Sequence, residues 1–121
     1  MSHDSRPIKE ERVKSHVKKL LKKYAAYYFM PVQSGYGGQS LDFLCSHKSR
    51  FFAIETKAPG HHLTPRQELI RTEIEAGGGV VFVIGEFFEL GDHHFDQTKI
   101  KPKLKKHFSG MEELEGWLLL G

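Results

Sequence analysis

The stretch FFAIETKAPG, positions 51 to 60, constrains this chain more than any other. Phe51, Phe52, Ala53 and Ile54 begin an apolar run of β type, and Pro59-Gly60 ends it. Glu55 and Lys57 lie inside that run, and charged side chains are seldom fully buried without a partner. A fold that uses this strand must supply one.

LDFLCS, positions 41 to 46, is a second strand-like run, separated from the first by HKSR. A four-residue loop over HKSR sets Ser46 opposite Phe51 and Asp42 directly opposite Glu55, with Cβ atoms roughly 5 Å apart. Lys57 shares the face of Glu55 because side chains repeat every two residues along a strand. The flanking residues on both faces are apolar, which predicts a strand covered on both sides. Two carboxylates in such a place need a cation. Lys57 alone would make a structural salt bridge. A divalent ion with oxygen ligands would instead make a hydrolytic centre, since Mg²⁺ is held by one or two carboxylates plus substrate phosphates. Asp42 and Glu55 would then hold the ion, a bound water would lose its proton more easily, and Lys57 would orient that water or stabilise the developing charge. From the chemistry alone both readings stand, because ion-pair networks also place charges in cores.

Around this hairpin the chain reads as an ordered series of elements. Ser5 and Pro7 predict a helix start, and RPIKEERVKSHVKKLLKKY has helical spacing. Val13, Val17, Leu20, Leu21 and Tyr24 form one stripe, with Lys on the other faces. Glu10 is in register with that stripe and Glu11 is rotated off it, so Glu10 is the acid that points inward. AAYYFMPVQ is a candidate strand whose Pro31 argues for an edge or a bend, and SGYGGQS is a glycine loop. Thr64-Pro65-Arg66-Gln67 begins a second helix with an N-cap, a first-position proline and a capping-box Gln. That helix runs to about Ala76 and stops at Gly77-Gly78-Gly79. VVFVIG is an apolar run of buried-strand type. A turn-rich region follows, and Ser109-Gly110-Met111-Glu112 caps a short terminal helix ending in WLLL. Helix, strand, strand pair, helix, strand, helix is the order of a mixed α/β domain with helices packed on a central sheet.

The 121 residues fit one domain with a modest core, and 39% hydrophobic with 27% charged residues is an ordinary globular composition. The lone Cys45 excludes an intramolecular disulfide and suits a reducing, intracellular setting. No apolar run reaches membrane-spanning length, and MSHDSRPIKEER lacks the apolar core of a signal peptide. A soluble, cytoplasmic protein is expected, in the host cytoplasm if phage-encoded. The formal charge is only +3, but residues 1 to 27 carry eight Lys or Arg against three acids, and Lys99 to His107 carries five Lys and no acid. Such blocks suit phosphate backbones, because neutralising phosphates releases condensed counterions. A solvated Lys-rich face accounts for either block alone.

The glycine loop, LD, FFAIETKAPG, LTPRQ and GGGVVFVI, in this order, resemble the VRR-NUC family of the PD-(D/E)XK superfamily from about Glu10 to Ile84. The resemblance implies a single nuclease domain over 1–121, with a restriction-endonuclease-like core at about 7–90 and a basic segment and helix at about 97–121. It implies an α/β fold with a central mixed β-sheet flanked by helices in the order α-β-β-β-α-β, plus a C-terminal helix. It also implies a Mg²⁺- or Mn²⁺-dependent DNA endonuclease that leaves 5′-phosphate and 3′-hydroxyl ends. Such stand-alone domains resemble homodimers suited to branched DNA such as four-way junctions. Carried over by residue, Asp42, Glu55 and the backbone carbonyl of Thr56 resemble metal ligands, and Lys57 resembles the catalytic lysine. Glu10 matches the first-helix acid, reaching the metal directly or through water. Gln67 matches the family's glutamine, while its spacing also predicts a capping residue, and both readings stand. Leu41 replaces the usual proline before the first aspartate, a position that shapes backbone and binds no metal. Thr56 occupies a variable position.

DNA contacts are expected from Gly35, Tyr36 and Gly37 in the glycine loop, from His61 and His62 after the E-x-K strand, and from Lys101, Lys103 and Lys105. Gly35, Gly37 and Gly38 make no P-loop, since no Gly-Lys-Ser/Thr follows, and instead allow close approach of a nucleic-acid backbone. The pairs His61-His62 and His93-His94 have no zinc-finger or HExxH spacing. Cys45 reads as a small buried hydrophobe, and WLLL as core or a dimer contact. The competing class is a non-catalytic nucleic-acid-binding module in which Asp42, Glu55 and Lys57 form only an internal ion network.

Overall fold

A computed structural model of the chain describes residues 8–32, 40–90 and 106–120. Helix α1 spans Glu10–Lys23, followed by strands β1 (Tyr27–Phe29), β2 (Phe43–His47) and β3 (Arg50–Thr56). Helix α2 (Pro65–Ala76) leads to β4 (Val80–Ile84), then β5 (Phe88–Leu90), β6 (Lys106–Phe108) and helix α3 (Met111–Leu119). The first four strands form one mixed sheet in the order β1-β2-β3-β4, with β3 and β4 parallel and the other pairs antiparallel. This is the expected α/β sheet flanked by helices. The β5–β6 pair is an addition that the turn-rich sequence after Ile84 did not announce. Among the described residues, no helix is long and apolar enough to cross a membrane.

Two apolar layers sandwich the sheet. On one side Val13, Val17 and Leu21 of α1 and Leu114 and Leu118 of α3 pack with Phe43, Cys45, Phe52, Ile54 and Ile84. On the other, Ile70 and Ile74 of α2 cover Leu41, Leu44, Ala53 and Val81. β3 is therefore closed on both faces, and every residue from Phe52 to Thr56 is buried. β4 departs from the buried-strand expectation: it forms an edge of the sheet and three of its five residues are only half-buried. Cys45 behaves as the small hydrophobe its context predicts, and burial pushes its thiol pKa up to about 12.

The hairpin register is the expected one, Ser46 opposite Phe51, but the loop is shorter than four residues. His47 pairs with Arg50, leaving a two-residue turn in which Lys48 and Ser49 have φ of 51° and 65°. Positive φ at both central positions matches the right-handed twist of the flanking strands. The turn also reaches the end of α3. Arg50 Nη2 donates to the carbonyls of Trp117 (2.6 Å) and Leu120, and Lys48 Nζ donates to Leu119 O at 3.3 Å. His47 Nε2 lies 3.2 Å from Leu118 O, and the Arg50 guanidinium stacks 4.1 Å from the centre of the Trp117 ring. The last carbonyls of α3, which have no intrahelical partner, thus gain one from a basic turn about seventy residues upstream.

Both outer helices start differently from their sequence signals. Lys9 is extended (φ −79°, ψ 151°) and α1 begins at Glu10, so Ile8 and Lys9 are not helical. Glu10 and Glu11 fill the first turn, where acids complement the positive end of the helix dipole. Ser109 does not cap α3. Its hydroxyl accepts from the Phe87 N–H at 2.9 Å, and Gly110, at φ 86°, precedes the helix instead. Ser5 and Pro7, residues 34–39 of the glycine loop with Gly35, Tyr36 and Gly37, and Lys101, Lys103 and Lys105 lie outside the described residues.

The β3–β4 end of the sheet beyond Thr56 is fixed by one close backbone approach. The Lys57 N–H donates to Ile84 O at 2.8 Å, and Gly85 (φ 94°) packs so tightly that an added Cβ would overlap the Lys57 carbonyl oxygen. Gly85→Ala should therefore cost about 2–4 kcal/mol in urea unfolding, from strain at positive φ plus the clash. Gly116→Ala, in α3 with open space around it, should instead stabilise by about 0.5–1 kcal/mol. Equal effects at the two positions would contradict this packing.

Candidate active site

Where β3 ends, the first turns of α1 and α2 converge on it from opposite faces of the sheet. Glu10 comes from the first turn of α1, and Gln67 is the third residue of α2. Glu55 and Thr56 arrive from the end of β3, Lys57 follows directly after it, and Asp42 comes from the bend immediately before β2.

That bend changes the expected hairpin geometry. Strict alternation would place Asp42 beside Glu55 on the α2 side and Leu41 on the α1 side. Leu41 packs instead with Ala53 and Val81 under α2, so the chain has rotated at Asp42. The Asp42 carboxylate turns to Thr56, whose N–H and hydroxyl donate to Oδ2 at 2.9 and 2.6 Å. In return the Asp42 N–H donates to Glu55 Oε1 at 3.0 Å. Each acid is thus tied to the partner strand by backbone, and the side-chain hydroxyl of Thr56 helps aim Asp42.

Glu55 is 2% exposed, and its second oxygen, Oε2, accepts from Gln67 Nε2 at 2.7 Å. The same amide closes the α2 capping box: Oε1 accepts from the Thr64 N–H at 2.9 Å, while Thr64 Oγ1 accepts from the Gln67 N–H at 3.2 Å. The cap decides which way the amide faces, since its oxygen must meet Thr64 and its NH₂ is left for Glu55. Gln67 is therefore both capping residue and site residue.

Carboxylate oxygens of Glu10, Asp42 and Glu55 all lie within 4.8 Å of one another. Two oxygens on opposite sides of a Mg²⁺ ion are about 4.2 Å apart, twice the usual bond length, so small side-chain movements would bring the three onto one ion. Hard carboxylate oxygens are also the donors that Mg²⁺ and Mn²⁺ prefer. Burial raises the Glu55 pKa to about 8, the Asp42 charge adds to the rise and Glu10 adds less, while the Asp42 N–H and the Lys57 charge oppose it. Thr56 is fully buried.

The sequence pattern missed three contributors. Lys14 was grouped with the solvated lysines, yet its ammonium points inward, 3.8 Å from Asp42 Oδ1. The signal was available: Lys14 lies four residues after Glu10, one turn along the same helix face. The Thr56 hydroxyl was hidden by its apparently variable position. Glu86 accepts from His62 Nδ1 at 2.9 Å, and the His62 ring meets Phe87 edge-on at 5.6 Å. His62 is thus an exposed but oriented side chain. His61 is exposed, with its N–H donating to Ala58 O at 3.0 Å.

No protein-family model matches the chain, and neither does any curated protein or solved structure. The likeness to VRR-NUC domains rests on the ordered motifs quoted above.

Because the folded pKa of Glu55 is raised from the usual 4.5 to about 8, the proton favours the folded state. The stabilisation is complete below about pH 4.5 and is lost as pH rises through about 8, at up to about 1.4 kcal/mol per unit. Urea unfolding in EDTA between pH 5.5 and 8.5 should show this decline, and Glu55→Gln should flatten it. Parallel slopes in the two proteins would contradict the buried, crowded carboxylate.

Proposed function

We propose that this chain is a divalent-metal-dependent DNA endonuclease with a restriction-endonuclease-like core. The observation that carries the reading is the convergence of Glu10, Asp42 and Glu55 on a buried strand end whose next residue is Lys57. Chain order adds support: helix acid, Asp, Glu-x-Lys and Gln arrive from α1, the β2 bend, β3 and α2.

Glu10, Asp42 and Glu55 would hold Mg²⁺ or Mn²⁺, with the Thr56 carbonyl as a further donor. The ion would supply Lewis-acid stabilisation of phosphate charge and a more acidic bound water. The protein's own groups do the rest. Thr56 keeps Asp42 aimed, Gln67 keeps Glu55 oriented, and the Asp42 N–H closes the link between the two acids. Lys57 places a positive charge beside Glu55, where it would orient water and stabilise negative charge developing on the phosphate. The water oxygen forms a bond to phosphorus as the P–O3′ bond breaks, leaving a 5′-phosphate and a 3′-hydroxyl. Preference for branched DNA such as four-way junctions and assembly as a homodimer follow from the resemblance alone. The lone cysteine suits an intracellular setting.

A second reading draws on the Lys14–Asp42 ion pair: a metal-free structural network within a nucleic-acid-binding module. Incubation with a four-way junction and with linear duplex, in Mg²⁺, Mn²⁺ or EDTA, separates the two. The nuclease should nick only with metal, and Lys57→Ala should lose about 100-fold or more in rate while still binding DNA. Binding without cutting under every metal condition would sink the nuclease. Equal cutting of linear duplex would remove the branched-DNA preference.

A further inference from the structure

Asp42 uses its two oxygens differently. Oδ2 receives both Thr56 donors, at 2.9 and 2.6 Å. Oδ1 faces the Lys14 ammonium at 3.8 Å. That separation is too long for a hydrogen bond, so charge alone holds the ammonium there. The pair is only partly screened, since the Lys14 and Asp42 side chains are 23% and 14% exposed. α1 has five lysines, at positions 14, 18, 19, 22 and 23, with Lys9 just before it, but only Lys14 lies one turn after Glu10 on its face. A solubilising charge has no reason to lie against a carboxylate in this cluster.

We infer that Lys14 is a placeholder cation: it neutralises Asp42 Oδ1 in the metal-free protein and is displaced when a divalent ion takes that oxygen. The inference rests on the metal-binding reading above and adds a competitor within the site. Where three acids converge on a buried strand end, positive charge eases metal-free folding, and the Lys57 charge acts on Glu55. Lys14 supplies it from the same helix that delivers Glu10. Among the described residues its displacement breaks no hydrogen bond, and a four-carbon stem lets the ammonium leave without moving α1. Lys14 is a positioning residue here, setting how tightly metal binds rather than touching substrate.

Removing the ammonium while keeping an unbranched side chain should therefore tighten metal binding. In calorimetric titrations with Mn²⁺ and no DNA, Lys14→Met should bind roughly fivefold or more tightly than wild type. Asp42→Asn, which removes the contested charge, marks which binding belongs to this site. Lys14→Gln carries the same test if Met at this position does not fold. Equal or weaker Asp42-dependent Mn²⁺ affinity in the Lys14 variants overturns the placeholder role and leaves the metal site standing. Absence of Asp42-dependent Mn²⁺ binding in wild type and variants alike overturns both.

Discussion

A carboxylate carried into the protein interior organises one end of this fold. Glu55 ends a strand closed by helices on both faces, and an ionised carboxylate there is costly unless its oxygens are met. Three neighbours answer that cost from three different segments. The Asp42 N–H comes from the bend before β2, the Gln67 amide from the first turn of α2, and the Lys57 charge from the residue just past the end of β3. Each can reach Glu55 only if its own segment is correctly placed, so one buried acid couples the hairpin, α2 and the strand exit.

The same acid explains why the site is incompletely neutralised. Hydrogen bonds meet both oxygens of Glu55, yet its pKa still rises to about 8, chiefly because it is buried and further because the Asp42 charge and, less, Glu10 crowd it. A stable internal salt bridge would have been expected to hold the acid ionised. Ionising all three acids together would leave excess negative charge at this strand end, which a strong cation would offset, and the oxygen-only donor set suits a hard one. Lys14 offsets part of that charge on Asp42 but cannot satisfy three carboxylates.

Much of this was legible locally. Apolar runs bounded by Pro and Gly marked β3, the Ser46–Phe51 register followed from strand pairing, and the inward acid of α1 was picked out by its phase against Val13 and Val17. The Thr-Pro-x-Gln start of α2 placed Gln67 correctly, though not its second bond. What escaped depended on contacts that no local pattern encodes. The rotation at Asp42, visible in Leu41 moving under α2, made the Thr56 hydroxyl important. Lys14 was masked by a helix so rich in lysine that one inward ammonium did not stand out. HKSR read as an ordinary loop because its partners, the last carbonyls of α3, lie near the other end of the chain. Ser109, a good cap by composition, was claimed by Phe87 from β5's approach.

The account turns on whether three carboxylates and a strand end form a cation site. Anomalous diffraction from crystals soaked in Mn²⁺ tests it most directly. A Mn²⁺ peak bonded to oxygens of Asp42 and Glu55, with Glu10 in direct or water-mediated contact and Lys14 withdrawn from Asp42 Oδ1, is the predicted result. Saturating Mn²⁺ with no peak at this position, and the Lys14–Asp42 pair intact, would contradict it.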